Sequence, residues 1–238
     1  MRKKSMKRYT YLVILVIIIV IIIAIGLAGI NMSRPNNETI NPDNFRSYTT
    51  TYNMDTKQLL IDMGIDVNQG EKVLGELVAA LDNGDPDIEM AAALAISELG
   101  SKGKAAVPSL LIKLKSYAPI VSMGSAIALE KIGLEPKEAE KIVKMGTKGS
   151  CLKSVAVRAL NGVSPDAIGV LPFLIDALSD SDPTIKLDAC MAISKFGPKA
   201  KMALQELQEL AENDPYLHPA GIYIVRNAAK EAIDIINK

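Results

Sequence analysis

The chain has 238 residues, with 27 Lys and Arg balanced by 27 Asp and Glu, one His, two Cys and no Trp. That length suffices for one sizeable domain, but the zero net charge hides an asymmetry. Five basic residues (Arg2, Lys3, Lys4, Lys7, Arg8) and no acidic one lie before residue 33, so residues 33–238 keep 22 cations against 27 anions, a charge of about −5. A domain of that sign is poorly matched to a phosphate backbone, which excludes nucleic acid as the expected partner.

In chain order, residues 1–8 form a basic N-terminus and residues 9–32 are expected to form a transmembrane anchor. From Leu12 to Ile30 there is no charge, and at about 1.5 Å per residue the run spans roughly 28 Å, close to the hydrocarbon thickness of a bilayer. A cleaved signal peptide has a shorter apolar region, so the length favours a retained anchor; Gly26-Leu27-Ala28 is where cleavage would fall. Leu27-Ala28-Gly29 also resembles the start of a lipoprotein box, but Ile30 stands where the acylated Cys would be. With all leading charges positive, the N-terminus is expected in the cytoplasm and the rest of the chain on the extracytoplasmic side of the cell membrane.

Residues 33–53 are rich in Asn, Thr and Pro with no apolar period, the signature of a flexible polar linker that would hold the C-terminal domain about 25 Å from the bilayer. Asn37-Glu38-Thr39 is a glycosylation acceptor pattern, relevant where the host glycosylates.

Residues 54–238 carry an internal repeat. Ala95-Ile96, Ala128-Leu129, Ala159-Leu160, Ala192-Ile193 and Ala232-Ile233 each follow a branched apolar residue by seven positions: Ile88, Val121, Leu152, Ile185 and Val225. Gly100, Gly133 and Gly197 close three of the five units. Each unit holds two helix-period segments. The first ends in Leu81, Leu114, Met145, Leu178 or Leu210, and two first helices begin around Val107-Pro108 and Leu171-Pro172, where a missing N–H is tolerated. Asp85-Pro86 and Asp182-Pro183 mark the turn into the second helix. No alternating stretch predicts a strand. Residues 54–70 are expected to cap the first unit and residues 228–236 the last.

The pattern Asp-Pro-x-[Ile/Val]-charged, in Asp85-Pro86-Asp87-Ile88-Glu89 and Asp182-Pro183-Thr184-Ile185-Lys186, with Ala106-Val107-Pro108 and Val225-Arg226-Asn227-Ala228-Ala229, resembles the HEAT-repeat (armadillo-like) superfamily. The similarity is to its short HEAT-like units of the phycobilisome-lyase type and covers roughly residues 69–238. It implies an all-α fold, an α-α superhelix of about five helical hairpins, here with one N-terminal transmembrane helix added. Units two and three depart from the pattern: Ser122 and Lys153 hold the family's basic slot and neither unit has the Asp-Pro turn. The family's Arg appears there only as Arg226, so an inter-repeat Asp–Arg ladder is expected to be incomplete. A hairpin cannot bury its apolar face alone, so neighbours stack into one continuous core.

Nothing in the chain forms a catalytic constellation. One His gives no zinc set or Ser-His-Asp relay, and no glycine motif cradles phosphate; no catalytic residue, metal, cofactor or small-molecule substrate is expected. Aligned by repeat, Cys190 lies six residues further along its helix than Cys151, an offset of roughly 9 Å against the ~7 Å a disulfide spans, so both thiols are expected unpaired.

Two features are candidates for recognition. A row on the second helices reads Met90/Leu94, Met123/Ile127, Ser154/Arg158, Leu187/Met191 and Asn227/Glu231. Facing outward, its Met-rich part would suit varied protein partners; facing inward, it would pack on the neighbouring repeat. The second feature is the insertion that stretches the last period, with Tyr216, His218 and Tyr223, either a contact loop or a packed one. The expected role is a membrane-anchored, non-catalytic protein–protein interaction scaffold. A bilin-lyase-like enzyme and a structural envelope spacer are its rivals.

Overall fold

The helix boundaries arise from short local signals. At Asp85 the carboxylate accepts from the Asp87 amide (2.9 Å) and Pro86 takes the first helical position. Asp182 does the same for Thr184 (2.8 Å), with Pro183 behind it. Each cap satisfies an otherwise orphaned N–H while the proline supplies none. Pro119 and Pro136 open two further helices, here without a side-chain cap.

The computed structural model describes residues 57–238. The anchor expected at 9–32, the linker at 33–53, Asn37 and the start of the cap lie outside the described residues, as do the side chains of Ser150 and Cys151. After a helical segment at residues 57–62 and a 3₁₀ stretch at Val67–Val73, ten α-helices form five hairpins. They are α1 (Leu74–Ala80) with α2 (Pro86–Glu98), α3 (Val107–Lys113) with α4 (Pro119–Ile132), and α5 (Pro136–Gly146) with α6 (Ser150–Ala159). The last two pairs are α7 (Leu171–Leu178) with α8 (Pro183–Ser194), and α9 (Leu204–Asn213) with α10 (Ile224–Ile236). The fold is an all-α repeat solenoid.

The even-numbered helices touch one another in series, whereas the odd-numbered ones chiefly meet their own partners and the 3₁₀ segments between repeats. The second-helix layer is therefore the more closely spaced. Alanine makes this spacing possible: Ala91, Ala92 and Ala93 are at most 1% exposed, and Gly124 on α4 faces Met90 and Ala93 on α2. A single core runs through the stack, and Leu81, Leu114, Met145, Leu178 and Leu210 all lie in it. The helical segment at the N-terminal end contributes Leu60 to the same core.

Gly133 ends α4 at φ 89°, a conformation that only glycine adopts at little cost; Gly100 and Gly197 also have positive φ. Just beyond Gly133, the Leu134 amide donates to the Gly162 carbonyl and the Ser164 amide to the Leu134 carbonyl, both at 2.8 Å. This lone parallel bridge ties two successive inter-repeat loops and is the one strand-like pairing among the described residues. It brings Gly162 so close to the Glu130 backbone that a side-chain carbon there would overlap the Glu130 carbonyl.

Candidate functional site

The row on the second helices does not form one surface. Met90 is 6% exposed and Ile127 9%, and Gly124 lets α4 approach α2 closely enough to cover Met90. Leu94 and Met123 are half-buried, and Met123 packs against the core. Further along, Ser154, Arg158 and Leu187 are half-buried while Met191 is 42% exposed; Asn227 and Glu231 are exposed. Among the described residues Met191 on α8 is thus the row's one exposed apolar side chain, one turn from the half-buried Leu187.

Beneath this face runs a polar ladder. The residue after each unit's branched apolar position is Glu89, Ser122, Lys153, Lys186 or Arg226. Three of these slots reach the hairpin turn of the next repeat. Lys153 Nζ lies 2.9 Å from Asp180 and 3.0 Å from Asp176. Lys186 Nζ lies 2.6 Å from Asp214, whose side chain has no exposure. In the first unit the polarity is reversed: Glu89 accepts from Lys113 of the second unit at 2.7 Å, and Asp82 approaches the same ammonium at 3.1 Å. Burial opposes charge on Lys113 and Lys153, but their hydrogen bonds to these carboxylates outweigh it and hold both above the usual lysine value. Ser122 instead donates to its own Pro119 carbonyl (3.0 Å), and Arg226 donates to the Asp214 carbonyl (2.7 Å). The expected Asp–Arg ladder is therefore carried by lysine, with its gap at Ser122. A second set of exposed pairs, Lys104–Glu135 and Lys199–Asp166, joins the loops on the other edge at the repeat spacing.

Where the second repeat meets the third and fourth, the rungs converge. Arg158 Nε lies 3.0 Å from Glu130 Oε2 and Arg158 Nη1 lies 3.3 Å from Asp188 Oδ1. The Glu130 contact is an ion pair without hydrogen-bond alignment, since neither of its atoms has an aligned partner. Asn161 Nδ2 also donates to Asp188 (3.3 Å), and Asn161 Oδ1 is buried without a donor. Burial, with Glu130 adding to it, pushes the Asp188 carboxyl up to about 6 against the pull of Arg158. Of this cluster the sequence pattern marked only Arg158; Asp188 and Asn161 carry no motif that would have singled them out.

In the insertion before α10, His218 closes a turn. Its Nδ1 accepts from the Ala220 amide (3.2 Å), its carbonyl accepts from Gly221 (2.8 Å) and its amide donates to Ile222 (2.9 Å). Tyr216 packs against the core and its amide donates to Asp214 (3.0 Å). Tyr223 is 40% exposed with the Arg226 guanidinium 4.2 Å from its ring centre, a cation–π contact. Tyr216 thus reaches α8 through Asp214, which pairs with Lys186, while His218 and Tyr223 lie further along the insertion. Cys190 is a free, buried thiol that desolvation pushes up to about 12, so it is held as an inert thiol.

A cleft of about 390 Å³ opens between the fourth and fifth hairpins, lined by Leu178, Lys186, Glu206, Glu209 and Asp214 among others. Its one lysine is taken up by Asp214, which makes it a joint between repeats. Among the described residues, no group of three or more His, Cys, Asp or Glu is placed to hold a metal ion. No described helix is long and apolar enough to cross a membrane.

No protein-family model matches the chain, and no curated protein does. Solved structures do match. A designed armadillo repeat protein in complex with the peptide (KR)4 is similar over 84% of this chain and 96% of its own, with 18% identity and a TM-score of 0.52. The complex of CpcE and CpcF of phycocyanin lyase from Nostoc sp. PCC7120 is similar over 68% of this chain and 98% of the matched chain, with 17% identity and a TM-score of 0.51. An engineered protein is similar over 68% and 80%, with 24% identity and a TM-score of 0.52. The fold is of the HEAT/armadillo type.

Proposed function

We propose that this chain is a non-catalytic interaction scaffold whose repeats bind a segment of a protein partner along the second-helix face, around Leu187 and Met191. The observation that carries this reading is that α8 leaves Met191 42% exposed in the more closely packed layer of the stack, one turn from the half-buried Leu187. Methionine adapts its shape to a partner, and a row of helix ends and faces with anchors one turn apart suits an extended or helical segment. The fold is shared with a designed armadillo protein solved with a bound peptide, which supports peptide binding as a use of this architecture. The uncharged run within residues 9–32 and the basic residues before it support a tether in the cell membrane, with the repeats on the extracytoplasmic side.

Photo-crosslinking tests this. A photoreactive amino acid replaces Met191 in the full chain in its own cells, and a second variant carries it at Ile112, 69% exposed on the first-helix layer. A discrete protein adduct is expected from position 191 and none from position 112. No adduct at 191, or the same adduct from both, overturns the reading.

A second reading has one observation in its favour, the fold shared with the CpcE–CpcF complex of phycocyanin lyase over 98% of the matched chain. On that reading the domain handles a bilin. Incubation of the full chain with a bilin and an acceptor protein, followed by absorbance, distinguishes the two: a shifted, acceptor-linked spectrum favours the lyase and an unchanged one the scaffold.

A further inference from the structure

The Glu130–Arg158–Asp188 cluster has two carboxylates and one guanidinium, so it holds one negative charge in excess within the joint between three successive repeats. Asp188 is 5% exposed, and the Glu130 side chain keeps 16% and that of Arg158 27% of its surface. The donors do not match the acceptors. Arg158 divides itself between Glu130 and Asp188, and Glu130 Oε2 and Asn161 Oδ1 are both buried without an aligned donor. A carboxylate is an acceptor only, whereas a carboxylic acid brings an O–H donor. One proton on Asp188 would remove the excess charge and supply a donor next to orphaned acceptors, in one step.

We propose that this cluster is a proton-binding joint: Asp188 takes up one proton in mild acid, and the contact between the third and fourth repeats tightens when it does.

Desolvation acts first on Asp188 and favours the neutral acid; Arg158 and Asn161 oppose it and Glu130 reinforces it. The other charged groups on elements around α8 are already paired or exposed. Asp176 and Asp180 share Lys153, Lys186 is held by Asp214, Lys199 by Asp166, and Arg226 donates to the Asp214 carbonyl. Lys195, Lys201, Lys230, Glu231 and Asp234 are exposed or half-exposed. Because the folded value lies above that of an unfolded Asp, near 3.9, the associated stability is complete below that value and is lost as pH rises through about 6. This is the reverse of the usual carboxylate. Asp180 shows the usual sense: burial opposes its charge, but the Asp182 amide and Lys153 hold it below the carboxylate range.

The test is the melting temperature of the full chain between pH 4.5 and 8, with amide exchange read over residues 150–194. The wild type is expected to melt higher as pH falls through about 6, with α6 and α8 becoming better protected. Asp188→Asn, which fixes the neutral state, is expected to abolish that rise. Glu130→Gln removes the repulsion and is expected to move the midpoint down by roughly one pH unit. A wild type that is flat or less stable toward pH 5, an Asp188→Asn variant that keeps the rise, or an unmoved midpoint in Glu130→Gln overturns the proposal. Should Asp188→Asn fail to fold, the Glu130→Gln midpoint decides alone.

Discussion

Lys186 and Asp214 meet at 2.6 Å across the joint between the fourth and fifth hairpins, with the aspartate side chain wholly enclosed and the lysine 15% exposed. Asp214 is also where the last repeat is tied together: its Oδ1 accepts from the Tyr216 amide and its carbonyl accepts from Arg226. One carboxylate thus fixes both the inter-repeat contact and the start of the long insertion. Removing its cation leaves a buried charge without compensation, which typically costs about 3–5 kcal/mol.

Lys186→Met is therefore expected to destabilise the domain by about 3 kcal/mol or more, and to do so unevenly. Repeat arrays are held by nearest-neighbour contacts, so the loss falls on the terminal hairpin. Amide exchange is expected to rise first over residues 204–236, with α2 to α6 almost unaffected. Uniform loss of protection along the stack would show that the pair does not act as a local rung.

The first rung offers a cleaner test of the ladder because its polarity is reversed. Glu89→Lys turns two ammonium groups on each other at a part-buried site and is expected to cost about 2–3 kcal/mol. Adding Lys113→Glu restores the order found at Lys153–Asp180, and most of the loss is expected to return. About 1 kcal/mol should remain lost, since Glu89 Oε1 also accepts from the Gly84 amide (3.1 Å) and a lysine cannot. A denaturation cycle over the four proteins measures the coupling. Lys113 is held above the usual lysine value, so the native rung keeps its full contribution below the ordinary lysine pKa and loses it as pH rises through the raised one.

Much of this architecture could be read from spacing. The Asp-Pro caps, the glycine stops and the five large apolar residues that end the first helices all report local backbone rules or a buried face, and such signals recur from hairpin to hairpin. The ladder was less legible. Lys153 and Glu89 depart from the family's basic slot, one by residue type and the other by sign, yet both bond to a neighbouring repeat's charged side chain. Only the three-dimensional offset between hairpins brings a slot beside the next turn. The recognition row was legible as a row but not as a surface. Periodicity states which residues share a helix face; how near the next helix comes depends on small residues such as Gly124 on the other partner.

That difference in approach makes the two ends of the row behave oppositely. Met90 is 6% exposed, with Gly124 directly against its side chain, so Met90→Glu must bury a carboxylate in place of an apolar side chain. A cost of about 4 kcal/mol or more is expected, a fall in melting temperature on the order of 10 °C for a domain of this size. Met191→Glu, at a site 42% exposed, is expected to stay within about 0.5 kcal/mol of the parent, since the new charge remains in water. Thermal melts of the two variants are enough to check it. Equal destabilisation would mean that α8 is covered as α2 is, and the face around Leu187 and Met191 would then be core along its whole length.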